Sequence, residues 1–259
     1  MINLPDSATF AALLAEPRLL AAAGVSALAG LVRGFSGFGG AMIYMPLVAA
    51  IYEPRVAAVT ILLVDFVSST PFAIPEVRRC TWREVIPISI AMAAAVPLGA
   101  WALLALDPIV LRWAISVLVL GLVAALMSGW RYRGEPRLPI TLGVGAFAGA
   151  SAGAVQIGGP PVVLYWLSRG NSAVTMRANL MVFFAFCGVA LVTAYAVLGL
   201  FTAPLTALSL LLGVPYLAGV GIGARFFRGT SDLLYRRIAY FIIALAAVLS
   251  LPVLDPIVR

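Results

Sequence analysis

The sequence predicts an all-α polytopic membrane protein with about ten transmembrane segments, arranged as two inverted five-segment repeats that contain Gly-rich broken helices. Three observations predict this class: the composition, the spacing of the apolar segments and an internal similarity. The 259 residues are 63% hydrophobic and 10% charged, whereas soluble domains are about 45–50% apolar and about 25% charged. At about 20 residues per crossing, the chain has room for about ten spans and little else.

Ten apolar segments follow an N-terminal stretch, residues 1–17, that we expect to lie at the membrane interface. Charged residues and clusters of Pro and Gly separate the segments, which are 19–33, 41–52, 56–74, 85–105, 109–127, 138–153, 160–168, 178–198, 204–226 and 236–254. The short segments 41–52 and 160–168 either cross fully or are re-entrant half-helices. Residues 18–130 form the first predicted repeat, and residues 131–259 form the second.

The arginines predict the orientation of the chain, because every basic residue is an arginine and most lie in alternate connections. Four connections are rich in arginine: Arg78, Arg79 and Arg83; Arg131, Arg133 and Arg137; Arg169 and Arg177; and Arg225, Arg228, Arg236 and Arg237. Ten crossings place all four on one face, which the positive-inside rule makes cytoplasmic. Both termini then face outward, and no signal-peptide cleavage is expected, because Asp6 and Glu16 lie where a positive region should be. The net charge of +7 therefore reflects orientation and does not indicate nucleic-acid binding.

Residues 24–40 resemble residues 143–159, which indicates an internal repeat. Five glycines coincide: Gly24, Gly30, Gly34, Gly39 and Gly40 align with Gly143, Gly149, Gly153, Gly158 and Gly159. Because each repeat holds five segments, an odd number, the second enters the membrane from the opposite face. Inverted repeats are typical of secondary transporters, whose binding site lies near the midplane. The alternative is that the glycines recur only because they let helices pack closely.

Two Gly-rich stretches, residues 34–40 and 153–161, are the strongest candidates for a binding site. Each is a poor continuous helix, since glycine costs about 1 kcal/mol and proline about 3 kcal/mol in a helix interior. We expect a break in each, with new helices that start at Ala41 and Pro160 and offer free N–H groups and a positive dipole end to an anion. The candidate substrate-binding residues in these stretches are Ser36, Gly37, Gly39, Gly40, Gln156, Gly158 and Gly159.

Asp65 is the clearest ionisable residue inside an apolar segment, where a charge is expensive to bury. One hypothesis is that this carboxyl takes up and releases a proton and so couples proton movement to transport. The alternative is a structural role as the partner of an arginine or of the N–H groups at a broken helix. Cys187 aligns with Asp65 and carries no charge, so any proton coupling would be asymmetric between the repeats.

Three further polar residues border apolar segments. Arg33 and Arg177 can each attract or clamp an anion, or they can extend toward the cytoplasmic headgroups. Asn179 opens the eighth segment, where a buried carboxamide needs hydrogen-bond partners. We include Arg177 and Asn179 among the expected substrate-binding residues.

The composition argues against an enzyme. The chain has no histidine, which excludes imidazole ligands, imidazole proton relays and Ser-His or Cys-His nucleophiles. The two cysteines, Cys80 and Cys187, suggest neither a disulfide framework nor a CxxC metal motif. We therefore expect no catalytic residue, no cofactor and no metal site.

Three motifs together carry a family resemblance: residues 30–46 (GLVRGFSGFGGAMIYMP), 149–167 (GASAGAVQIGGPPVVLYWL) and 175–184 (TMRANLMVFF). With these motifs the chain resembles the TauE/SafE sulfite exporters, an organosulfur-anion permease family. The resemblance implies transport of small sulfur-containing anions, such as sulfite, sulfoacetate, thiosulfate or sulfonates, across the bacterial inner membrane. With the orientation that the arginines predict, both termini are expected in the periplasm. It also implies that the substrate is held at Gly39, Gly40, Gln156, Gly158, Gly159 and Asn179. The second repeat has Tyr165 where the first has Pro46, so we do not expect equal half-sites.

These observations predict a secondary transporter that works by alternating access. Its expected partners are a small sulfur-containing anion and membrane lipid, while proton coupling and a homodimer stay open. The main alternative is a passive anion channel, whose charge selectivity Asp65 or the arginines would set. A second alternative, a membrane enzyme or assembly factor of a sulfur pathway, lacks a nucleophile–base pair.

Overall fold

A computed structural model describes residues 5–36, 39–129, 137–166, 172–226 and 232–254. Within these residues all regular structure is helical, which confirms the predicted all-α class. The α-helices are α1 (Ser7–Leu14), α2 (Arg18–Ser36), α3 (Gly40–Ile51), α4 (Pro54–Ala73), α5 (Trp82–Ala105), α6 (Pro108–Met127), α7 (Leu138–Val155), α8 (Gly159–Trp166), α9 (Ala173–Val197), α10 (Ala203–Phe226) and α11 (Asp232–Leu249).

Helices α2 to α11 coincide with the ten predicted apolar segments, and the larger differences lie at two boundaries. Helix α9 begins at Ala173 and not near residue 178, because the Ser172 side chain caps it by accepting a hydrogen bond from the Thr175 backbone N–H. Asn179 therefore lies in the second turn of α9 and does not open it. Helix α11 ends at Leu249, and a 3₁₀ turn over Pro252–Leu254 completes the tenth segment.

Five helical spans in the described part of the chain are long and apolar enough to cross a membrane: Trp82–Ala105, Pro108–Met127, Leu138–Val155, Val174–Val197 and Ala203–Arg225. Helix α3 is apolar but shorter. Helices α1 and α2 form a pair bent by 89°, and α1 buries none of its residues. The five spans make the chain a multi-pass membrane protein, while ten crossings stay a prediction.

Two pairs of helices, α2 with α10 and α5 with α7, pack so closely that backbone touches backbone. Gly34 of α2 lies against the backbone carbonyl of Val220, and Gly153 of α7 lies against that of Val96. A Cβ atom at either glycine would overlap the facing helix. Residue numbers rise together along both members of each pair, so the paired helices run in the same direction. Small residues are what allow membrane helices to approach this closely.

The two packed pairs share one register of contacts. Residues of α2 that align with residues of α7 have partners at the same spacing in α10 and α5: Gly30–Tyr216 corresponds to Gly149–Met92, Gly34–Val220 to Gly153–Val96, Leu31–Gly223 to Ala150–Gly99, and Ser26–Leu212 to Gly145–Ile88. In the last case the Ser26 hydroxyl donates a hydrogen bond to the Leu212 carbonyl at 2.7 Å. Each half of the chain thus supplies one helix to each pair, and the two halves interlock.

A matched pair of glycines in α7 tests this packing. We expect Gly149→Ala to lower the stability by about 1–3 kcal/mol, because the added methyl group overpacks the contact with Met92. Gly143→Ala, where a Cβ meets nothing within 4 Å, should be neutral or slightly stabilising, since alanine is the better helix former. The measurement is the thermal unfolding of both variants in detergent, and equal melting temperatures would contradict the packing.

Candidate functional site

The chain leaves the helical conformation in both Gly-rich stretches, as the sequence predicts. Helix α2 ends at Ser36 and α3 begins at Gly40, while α7 ends at Val155 and α8 begins at Gly159. Each new helix thus starts one residue earlier than expected. The Ser36 side chain and Gly37 lie outside the described part of the chain, so their predicted roles stay predictions.

Left-handed backbone shapes both interruptions. Gly39, which precedes α3, has φ 97°, and Gln156, which follows α7, has φ 58°. The residues at which the new helices start, Gly40 and Gly159, are both buried. Two helix N-termini, each with N–H groups that lack helical partners, therefore lie inside the protein.

The two helix starts differ in how many hydrogen-bond donors they can offer. Helix α8 opens with Gly159, Pro160 and Pro161, and a proline has no backbone N–H. Two of the first four positions of α8 therefore cannot donate, whereas the first turn of α3 contains no proline. The predicted pair of amide-rich ends is unequal, and the α3 end is the stronger one for an anion.

A half-buried ion pair lies next to these helix starts. The Arg33 Nε atom is 3.0 Å from Asp65 Oδ1, and Arg33 Nη2 is 3.2 Å from Asp65 Oδ2, so the guanidinium holds both carboxylate oxygens. The fully buried Tyr216 donates its hydroxyl to Asp65 Oδ1 at 2.7 Å. The centroid of the Phe184 ring is 5.3 Å from the guanidinium carbon of Arg33. These four residues, from α2, α4, α10 and α9, form what we call the Arg33 cluster.

The Arg33 cluster contacts the start of both interrupted helices. A Cβ atom on Gly40 would lie 2.9 Å from the Tyr216 hydroxyl and 3.0 Å from the Arg33 Cβ atom. On the other side, a Cβ on Gly159 would lie 2.7 Å from the Phe184 ring. The structure therefore brings the predicted residues Gly40, Gly159 and Asp65 to one place and adds Arg33 to them.

Gln156 takes part in a neutral network on the α7 side. Its amide nitrogen donates to the Tyr195 hydroxyl at 3.0 Å, and that hydroxyl donates to the Gly153 carbonyl at 2.8 Å. Tyr195 is fully buried in α9. The network satisfies a carbonyl in the last turn of α7 and holds Gln156 at the interruption.

Gly158 and Gly39 have different surroundings. A Cβ on Gly158 would meet the Ala148 carbonyl at 2.6 Å, so this glycine packs against α7. Gly39 is half-buried, and its positive φ favours glycine. Close packing therefore accounts for Gly158, and backbone conformation accounts for Gly39, without a substrate contact.

Asn179 is fully buried and holds the start of α5. Its side-chain oxygen accepts a hydrogen bond from the Thr81 backbone N–H at 2.7 Å, and its amide nitrogen donates to Glu84 Oε2 at 3.1 Å. Arg177 is exposed. The contacts of Asn179 favour a structural role, and they do not bring it to the Arg33 cluster.

Sequence reasoning missed Tyr216, Phe184 and Tyr195. Each is an aromatic residue inside an apolar segment, where an interior position and a lipid-facing position look alike in sequence. The pairing of Arg33 with Asp65 was left open, although both were recognised as charges in or at the edge of apolar segments. The buried guanidinium favours an internal role for Arg33 over contact with headgroups.

Long apolar helices, together with a polar cluster between two interrupted helices, are typical of multi-pass membrane transporters. Residues 22–250 match the family described as sulfite exporter TauE/SafE. The chain therefore belongs to the TauE/SafE sulfite exporter family, a family of membrane transporters. Neither a curated protein nor a solved structure matches it.

The hydrogen bonds of Asn179 can be tested against those of its exposed neighbour. We expect Asn179→Ala to lower the stability by about 1–3 kcal/mol, because it leaves the Thr81 N–H and the Glu84 carboxylate without this partner. The free energy of unfolding of Arg177→Ala should lie within about 0.5 kcal/mol of that of the unaltered protein, as is usual for substitutions at exposed positions. Thermal unfolding measures both. An Asn179→Ala protein that is as stable as Arg177→Ala but no longer responds to anions would restore Asn179 to the binding site.

Proposed function

We propose that the protein is a secondary transporter that moves one small sulfur-containing anion at a time across the bacterial inner membrane by alternating access. The anion binds where the starts of α3 and α8 meet the Arg33 cluster. The observation that carries the proposal is the contact of one guanidinium-containing cluster with both helix interruptions. Membership of a family of sulfite exporters supports the substrate class.

The chemistry of this place suits a small oxyanion such as sulfite, thiosulfate, sulfoacetate or another sulfonate. The first turn of α3 supplies backbone N–H groups and the positive end of a helix dipole. Arg33 supplies a full positive charge and a planar fork of donors. Gly40 and Gly159 carry no side chain, and this lets Tyr216, Arg33 and Phe184 of the cluster lie directly against the two helix starts. Gln156 supplies a carboxamide at the edge of the second interruption.

The matched contacts of the two halves support an inverted repeat. The pairs α2–α10 and α5–α7 exchange roles when one half is aligned with the other. If α2 to α11 cross in alternation, α2 and α10 must run the same way, and so must α5 and α7, which agrees with their contacts. Alternating access follows naturally when two equivalent halves surround one site. The bent, unburied helix α1 then lies at the interface, with both termini in the periplasm.

Flux through the reconstituted protein distinguishes a carrier from a channel. We expect liposomes that contain the protein to take up sulfite or thiosulfate with saturable kinetics, and uptake to speed up when the same anion is preloaded inside. Such counterflow requires a binding site that faces the two sides in turn and carries an anion in both directions, and a passive pore has no such site. A current that rises linearly with voltage and shows no saturation would establish the channel instead. Protein-free liposomes provide the background.

Anion binding should also raise the stability of the purified protein. A ligand that binds only the folded state stabilises it by about 2.7 kcal/mol at a hundred times its dissociation constant. We expect a rise in melting temperature with at least one of sulfite, thiosulfate, sulfoacetate and benzenesulfonate, and a smaller effect with taurine, whose amino group adds a positive charge. An absence of stabilisation by every sulfur anion, together with an absence of flux, would remove the proposal.

We also propose that Asp65 couples transport to protons. Its carboxylate lies in the Arg33 cluster and is 35% exposed, so a proton can reach it. In reconstituted protein, Asp65→Asn should remove the dependence of transport on the pH gradient. Glu76→Gln, which alters an ion pair with the exposed Arg79, is the matched control. If Asp65→Asn leaves both the rate of transport and its dependence on pH unchanged, Asp65 has no part in the mechanism.

A further inference from the structure

We propose that Asp65 is an internal substitute for the transported anion: in the empty protein it occupies the Arg33 guanidinium, and the substrate replaces it there. Asp65 takes up one proton in the exchange. The inference rests on the proposed function and names the charged ligand of that site. It makes one exchange responsible both for recognition of the anion and for coupling to protons.

The geometry of the ion pair is the first argument for the exchange. Two nitrogens of Arg33 face two oxygens of one carboxylate at 3.0 and 3.2 Å. A guanidinium fork binds carboxylates and tetrahedral oxyanions with the same pair of donors. A sulfonate or a sulfite also presents two oxygens to one side, so it competes with Asp65 for the same donors.

The second argument is the order of accessibility within the cluster. The Arg33 side chain is 13% exposed and the Asp65 side chain is 35% exposed. The carboxylate is therefore the more accessible member of the pair, while the Phe184 ring lies against the guanidinium. An anion that approaches Arg33 from solvent meets Asp65 first and has to displace it.

The third argument is charge balance. The pair formed by Arg33 and Asp65 is neutral. A monovalent anion added to it would leave one uncompensated negative charge in a largely buried place, and that is costly. If Asp65 binds one proton as the anion binds Arg33, the loaded site carries one negative charge fewer, and with a monovalent anion it is neutral again. The released carboxyl still has the Tyr216 hydroxyl beside it as a hydrogen-bond partner.

The groups around Asp65 leave the carboxyl itself as the site of proton uptake. It is contacted by Arg33 from α2 and by Tyr216 from α10. The titratable groups Cys187 of α9 and Tyr44 of α3 are near enough to influence this cluster electrostatically. Neither a phenol nor a thiol carries a positive charge that could balance a second anion.

Four charged groups on α4 and on the elements that border it have partners elsewhere, and Arg177 of α9 and Arg83 of α5 are exposed. Glu76, in the 3₁₀ turn that follows α4, pairs with Arg79, and Arg112 of α6 donates to the Ser250 carbonyl. Glu84 of α5 accepts a hydrogen bond from Asn179. Arg55, at the start of α4, donates to the Leu104 carbonyl.

The exchange predicts how anion affinity depends on pH. Because the anion and one proton bind together, the affinity for an anion of constant charge should fall as the pH rises. The limit is about tenfold per pH unit for one linked proton. Thiosulfate and benzenesulfonate serve as probes, since both keep their charge between about pH 5.5 and about pH 8.5.

The test is a thermal-shift or calorimetric titration of the purified full chain with each probe across this range. The unaltered protein should lose affinity toward alkaline pH. Asp65→Asn should bind with an affinity that does not depend on pH and that equals or exceeds that of the unaltered protein at the alkaline end. Glu76→Gln is the control and should keep the pH dependence.

A double variant keeps the test independent of folding. Arg33→Gln alone leaves the Asp65 carboxylate unpaired and can fail to fold. Arg33→Gln combined with Asp65→Asn replaces the ion pair by two neutral amides, so it should fold and bind either probe about a hundredfold more weakly. Arg33→Lys, which keeps the charge but loses the fork, should fall between the double variant and the unaltered protein.

Two results overturn the exchange and leave the transporter proposal intact. One is binding by the double variant with the affinity of the unaltered protein, which would make the ion pair purely structural. The other is an affinity of the unaltered protein that is the same at every pH. An absence of binding at every pH, with no flux of any sulfur anion, would instead overturn the proposed function, and the exchange with it.

Discussion

A helix that ends inside a bilayer leaves peptide groups without helical partners, and lipid offers them none. In the proposed membrane arrangement of this TauE/SafE chain, the constraint acts at two places, between α2 and α3 and between α7 and α8. The new helices start at buried glycines, so protein and not lipid surrounds them. Around them lie the groups that hydrocarbon tolerates least, a guanidinium, a carboxylate and two buried phenols. The positions of the polar residues follow from the need to keep two helix ends away from lipid.

The two interruptions have different polar surroundings. The first lies beside a charged cluster of Arg33, Asp65 and Tyr216, whereas the second is closed by the neutral network of Gln156 and Tyr195. The prolines at the start of α8 reduce its donors still further. If the two halves are the proposed inverted repeats, the charge is concentrated in the first of them, and Cys187, which aligns with Asp65 in that comparison, continues the asymmetry.

The helices and their breaks could be predicted from sequence because they depend on local composition. Apolar length, arginine-rich connections and the cost of Gly and Pro within a helix locate the segments and both interruptions. Ser172 shows the limit of this approach, since a capping side chain started α9 several residues before the arginine that marked the expected boundary. Within one Gly-rich stretch, moreover, Gly34 packs against α10 while Gly40 borders the Arg33 cluster. Composition does not distinguish these two roles.

Side-chain partners could not be predicted, because they depend on how helices are rotated against each other. Arg33 and Asp65 each stand out in the sequence, but α3 separates their helices, α2 and α4, along the chain. Nothing in the local sequence determines which faces of α2 and α4 meet. Nothing in the sequence marks Tyr216, since its contact with Asp65 depends on how α10 is positioned along α2. Asn179 has its partners 95 and 98 residues away.

The interlocked helix pairs have a consequence for how the protein is made. Ser26 and its partner Leu212 are separated by 186 residues, which takes about 10–40 s to synthesise at the usual elongation rates. The glycine face of α2 emerges early and stays without its partner until α10 follows. Such a distant pairing slows assembly through the entropy of closing a long loop. The nascent chain therefore spends most of its synthesis with one of its two closest helix interfaces unmade, and another membrane protein or an insertion factor has that interval in which to cover it.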